Sequence, residues 1–290
     1  MIEYDARSWL PILVRMRGSV IPRLALRVVI AAGLGVAAVL LLEQRGFRIP
    51  SNAHTLVGVA LGLLLVFRTN ASYDRYWEGR RLLGAITNRS RDLARQIGTY
   101  VEDAEARAAL VRLLQAFYWL AAQTLRKQPA LGTAERLLTP DERAALSTAA
   151  FRAPLVTRWI SDRLRAEAAA GRMSEARLQL LDGNLTALND ALGGAERILR
   201  TPIPFAYAQH IKIFLTLFCF TAPFVVASDM RWATPFACGL LALALFGIDE
   251  IGVEIEDPFG DDPNDLPLDA IGNGIEKAVA ELAGAPPPAA

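Results

Sequence analysis

Side chains able to do covalent or acid–base chemistry are few and scattered in this sequence. The two histidines, His54 and His210, each stand at the edge of an apolar stretch. A single imidazole in that setting is expected to be a hydrogen-bonded or interfacial group, because a base or metal ligand needs a partner to orient it. The two cysteines, Cys219 and Cys238, lie inside apolar stretches and are expected to pack rather than to bridge or bind metal. Carboxylates are adjacent at Asp249–Glu250 and Asp261–Asp262, but with no base or pocket assigned to them they read as solvated. No HExxH, GxSxG, CxxC or phosphate-loop lysine pattern occurs. These residues point away from an enzyme, and no cofactor is required.

One loop has the composition of a cation site. DPFGDDPND sets Asp257, Asp261, Asp262 and Asp265 around a Gly–Pro turn. Oxygen ligands on a tight loop suit Ca²⁺. The spacing is not that of an EF-hand, and no closing Glu follows. A polar stop after an apolar helix is the alternative reading of the same residues.

The elements that would position these groups follow from an uneven distribution of apolar residues. Of the 290 residues 53% are hydrophobic, and they gather near 20–67 and 211–253. Leu24 to Leu42 is apolar except for Arg27 and is long enough to cross a bilayer core of about 30 Å. Arg27 lies near its start, within snorkelling reach of the interface. Leu56 to Phe67 is a second, shorter span. Ile211 to Ala227, with a kink expected at Pro223, is a third. Trp232 to Ile248 is a fourth and opens on an interfacial Trp. Polar turns are expected at Glu43 to Pro50 and at Ser228–Arg231.

Residues 1–19, with Trp9 and the basic Arg15 and Arg17, read as an interfacial helix and not as a cleaved signal. From Arg68 to about Arg200 apolar residues recur at helical spacing among charges, with breaks expected at Pro140 and Gly171. The fold class is therefore an all-α membrane protein of four transmembrane helices and a helical cytosolic body. Its segments are 1–67, the interfacial helix and first two spans; 68–204, the cytosolic helices; 205–253, the last two spans; and 254–290, an acidic segment and disordered tail. Lys and Arg near the span ends are concentrated on one side (Arg15, Arg17, Arg23, Arg68, Arg75), against Arg45, Arg48 and Arg231 on the other. This places both termini in the cytosol. A net charge of +1 without a basic run gives no sign of nucleic-acid binding.

The second span carries the sharpest pattern. Val59, Leu63 and Phe67 recur every four residues and share one helical stripe, beside a second stripe of Leu56, Ala60 and Leu64. Gly58 and Gly62 permit close helix approach. The span either packs on its neighbours, or several copies bring one stripe to a common axis as a hydrophobic constriction. After Phe67 the helix is expected to enter water at Arg68.

Four blocks resemble the bestrophins, in their bacterial branch: Arg17-Gly-Ser-Val; VFRTNASYDRYWEGR from Val66; TPIPFAYAQ from Thr201; and EDPFGDDPNDLP from Glu256. They span almost the whole chain. The resemblance implies a homopentamer around a central pore that passively conducts small monovalent ions. Cations are favoured and anions remain the alternative. Its setting would be the lipid of the bacterial plasma membrane. It implies a neck at Val59, Leu63 and Phe67 and a second aperture at Ala176, where family members usually carry a bulkier aliphatic residue. It also implies Ca²⁺ as an optional ligand of Asp257, Asp262 and Asp265, although Pro263 and Asn264 interrupt the family's acidic run. A non-conducting scaffold or transporter subunit, binding a partner through the cytosolic body, is the rival reading.

Overall fold

A computed structural model describes residues 2, 4–5, 7–47 and 49–284. Arg48 and the last six residues of the expected tail lie outside the described residues. Every regular element among the described residues is helical. The chain divides into two compact units, one of residues 1–76, 202–258 and 262–265, the other of 77–201, 259–261 and 266–290.

The first unit holds the apolar helices. A short helix α1 (Trp9–Val14) leaves Trp9, Leu10, Leu13 and Val14 exposed, as an interfacial segment would. Helix α2 (Ile21–Arg45) ends at Gly46, whose φ of 63° supplies the left-handed cap. Helix α3 (Ser51–Tyr100) is continuous for 50 residues, roughly 75 Å, so it far exceeds a bilayer core. No proline interrupts it, and its residues after Tyr76 belong to the second unit. Helix α8 (Phe205–Met230) runs through Pro223 without a break. A 3₁₀ turn (Arg231–Ala233) then leads into α9 (Thr234–Glu256). Among the described residues three stretches are long and apolar enough to cross a membrane: α2, α3, and Phe205–Glu256, which contains both α8 and α9.

The turn expected at Ser228–Arg231 starts three residues later and ends two later, at Arg231–Ala233, and Trp232 lies in it. The last helix also does not stop at Ile248. It continues for two turns through Asp249, Glu250, Glu254 and Glu256, because these carboxylates find partners on other helices.

Leu24 and Ala31 of α2, Leu61 and Leu65 of α3, Ile211, Leu215 and Cys219 of α8, and Ala242 and Phe246 of α9 form one core. In lipid such packing is held by van der Waals fit rather than by exclusion of water, which rewards small residues at crossings. Gly35 is one: a Cβ there would lie 2.6 Å from Pro235 Cα. Both cysteines are free and buried, as expected of packing residues. His54 sits 3.1 Å from the Phe218 carbonyl and stacks on the Phe218 ring.

The second unit is a helical body around α4 (Ala104–Leu125), whose segment 113–123 is wholly buried. Around it lie α5 (Pro140–Thr148), α6 (Arg152–Ala169), α7 (Glu175–Arg200) and α10 (Leu268–Leu282). The helix starts are chemically marked. Asp103 Oδ1 accepts from Ala106 N, Thr139 and Glu142 form a capping box, and Ser174 Oγ accepts from Arg177 N. Pro140 opens α5 and Gly171, with φ 75°, follows α6, so both expected breaks are found. Gly272 lets α10 lie against Tyr118 and Trp119; a Cβ there would come within 2.7 Å of both rings.

Candidate functional site: an exposed helix face and the charges behind it

Between Leu56 and Tyr76 the two sides of α3 are chemically opposite. Leu61, Leu65, Arg68 and Ser72 recur at i, i+4, i+7 and i+11 and are all buried. On the other side Val59 is 62% exposed, Leu63 57% and Phe67 64%. Val66 and Tyr73 extend this face. The rival stripe is divided: Leu56 is exposed, but Leu64 packs against the core and its carbonyl accepts from Tyr207.

Arg68 does not enter water, contrary to the expectation for this boundary. It is 2% exposed, and so is Asp249, whose Oδ1 lies 3.1 Å from Arg68 Nε. Asp249 also accepts from Lys212 Nζ at 3.1 Å, and Arg68 Nη2 lies 3.6 Å from Glu256. Asp249–Glu250 is thus not a solvated pair. Glu250 accepts from Arg27 Nη1 at 3.1 Å, and the Arg27 guanidinium lies over the Phe246 ring. Four helices are tied together by these charges. A lone charge in this setting would cost several kcal/mol, so each is expected to be paired. The pairing is incomplete. Arg68 and Asp249 touch without hydrogen-bond alignment, and Arg68 Nη1 and Ser72 Oγ have no protein partner. Sequence reasoning missed this cluster. Its signal was register: Arg68 falls three residues after Leu65 and seven after Leu61, on the buried side.

The acidic loop is held both by its own backbone and by residues outside it. Asp265 Oδ2 accepts from the Asp262 amide at 2.7 Å. Arg23 reaches Asp262 Oδ1 at 3.3 Å and Glu254 Oε2 at 3.4 Å. The Asn264 amide donates to the Gly18 carbonyl at 2.9 Å and to Glu254 Oε1 at 2.8 Å. Asp265 is 4% exposed. Burial pushes its carboxyl up to about 6; the Asp262 amide pulls the other way, and the charges of Asp262, Asp257 and Glu254 add to the rise. Asp262 and Asp265 thus spend oxygens on Arg23 and the Asp262 amide. Among the described residues no three Asp, Glu, His or Cys side chains are grouped as metal ligands. Ala176 stands at the second position of α7, exposed, just after the Ser174 cap.

Apolar helices crossed by buried ion pairs, with a long exposed apolar stripe, define an integral membrane protein. The family model for bacterial and fungal bestrophin proteins matches residues 1–281. A voltage-dependent anion channel-forming protein of Nostoc sp. is 40% identical over 287 residues, covering 97% of this chain and 94% of that protein. The protein of the same description named YneE in Escherichia coli K12 is 32% identical over 279 residues, covering 95% and 92%. The crystal structure of a bacterial bestrophin homolog from Klebsiella pneumoniae superposes with a TM-score of 0.86 at 30% identity, covering 91% of this chain and 99% of that one. The chain belongs to the bestrophin family, in its bacterial and fungal branch. It is a membrane protein of a channel family rather than an enzyme.

Proposed function

We propose that the chain forms a homopentameric channel in the bacterial inner membrane that passively conducts small monovalent ions, with cations preferred. Each subunit crosses four times, on α2, the first half of α3, α8 and α9, with both termini in the cytosol. Val59, Leu63 and Phe67 of the subunits form a hydrophobic neck, and Ala176 forms a second, wider aperture. The observation that carries this reading is the exposure of Val59, Leu63 and Phe67 directly opposite the buried Leu61, Leu65 and Arg68. Such a face must be covered by lipid or by other subunits, and rings of apolar side chains can gate water and ions by dewetting. The relatives' names favour anions; an apolar neck has no sign preference of its own.

The test is ion flux from purified protein in liposomes, with its mass measured in the same detergent. Flux is expected from a pentamer, and Phe67→Ala should raise it. A monomer without flux under several salts and voltages would instead support the scaffold reading. Calcium at Asp257, Asp262 and Asp265 is a separate reading, in which the ion must displace Arg23 and the Asp262 amide. Millimolar Ca²⁺ that leaves the melting temperature unchanged would remove it.

A further inference from the structure

Between Val59 and Tyr76, α3 carries three charged side chains: Arg68, Asp74 and Arg75. By sequence the balance is positive. The fold reverses it on the exposed face. Arg68 is withdrawn into the helix packing against Asp249 and Glu256. Arg75 is half-buried and donates from Nε to the Glu256 carbonyl at 3.1 Å. Asp74 is exposed and makes no hydrogen bond or ion pair with any described residue. It follows Leu63 by eleven residues and Phe67 by seven. At 3.6 residues per turn it is within roughly 20° of both and about 10 Å beyond Phe67 along the axis. Asn70, also exposed, lies between them on the same face.

We infer that Asp74 is the charge-selecting residue of the pore. The inference rests on the channel reading above. One copy from each subunit makes a ring of carboxylates just past the apolar neck, and between Val59 and Tyr76 it is the one charge on this face that no ion pair or hydrogen bond with a described residue offsets. Such a ring concentrates small monovalent cations and repels anions. Its reach is a Debye length, about 10 Å at 0.1 M salt, enough to act at the Phe67 end of the neck, and about 3 Å at 1 M.

The experiment is a reversal-potential measurement on the full chain in planar bilayers under a KCl gradient, for the wild type, Asp74→Asn, Asp74→Glu and Asp74→Lys. The wild type should select K⁺ over Cl⁻, more strongly at low salt than at 1 M. Asp74→Glu should keep this. Asp74→Asn should lower the K⁺/Cl⁻ permeability ratio about tenfold, the lower end of electrostatic focusing. Asp74→Lys should reverse the preference. Equal elution volumes on size exclusion establish that assembly is intact. A wild type that prefers Cl⁻, or Asn and Lys variants that conduct with an unmoved ratio, would overturn the role of Asp74 and leave the channel standing. Absence of current from the wild type would overturn the channel reading itself.

Discussion

The two units bury charge in different ways. In the helical body Glu276 accepts from Trp119 Nε1 and from Arg136 at 2.6 and 2.7 Å, while its carbonyl accepts from Gln115 Nε2 at 3.1 Å. In the membrane unit Arg68 and Asp249 are more deeply buried but misaligned, with Arg68 Nη1 and Ser72 Oγ left without partners. Buried polar groups are ordinarily satisfied, and exceptions mark water sites or functional strain. The difference shows what each cluster is for. The Glu276 cluster locks α10 against α4. The Arg68 cluster does a second job: it takes a cation off the exposed face of α3.

The largest effect expected is from Arg68→Ala. Removing one member of a buried pair costs about 3–5 kcal/mol, because the remaining charge is stranded. The melting temperature in detergent should drop accordingly, and Asp249→Ala added to it should cost little more. Strict additivity of the two would break the idea of a coupled pair. Glu276→Gln should cost less, about 1–3 kcal/mol, since Arg136 is half-exposed and can turn to water. A loss equal to that of Arg68→Ala would erase the contrast between the units.

A smaller, pH-dependent effect belongs to Asp265. Its carboxyl titrates at about 6 in the fold, above the roughly 3.9 of an unfolded chain. The folded state then holds a proton that the unfolded state releases, so the contribution of Asp265 to stability is fully present below about pH 4 and is lost as pH rises through 6. Melting curves in EDTA from pH 4 to 7 should show that slope, and Asp265→Asn should flatten it. A pH slope that Asp265→Asn leaves unchanged would contradict the assignment. The smallest effect is on selectivity among ions of one sign. Ala176→Ile should narrow the proposed second aperture and shift relative permeabilities severalfold without changing Tm; unchanged ratios would remove Ala176 from the proposed ion path.

Much of this was legible before any coordinates. The apolar stretches became α2, α8 and α9, Pro140 and Gly171 broke the body where expected, and period offered the Val59–Leu63–Phe67 stripe beside Leu56–Ala60–Leu64, with the family resemblance choosing between them. The ends of α9 and the fate of its charges were not legible. Hydropathy ends the last span at Ile248, because Asp249 and Glu250 read as a return to water. They stay helical because Arg68, Lys212 and Arg27 meet them from three other helices.

The sequence by itself determined the helices, their apolar lengths and the stripe on α3, because period and hydropathy are local properties of the chain. Only the tertiary structure decided which charges are spent. Hydropathy reads Arg68, Asp74 and Arg75 alike as a return to water, and register marks only Arg68 as lying on the buried side. The position of Asp249 and Glu256, about 180 residues away, buries one cation and turns the second, and leaves Asp74 alone on the open face. Charge pairing across helices depends on distances that no local pattern encodes.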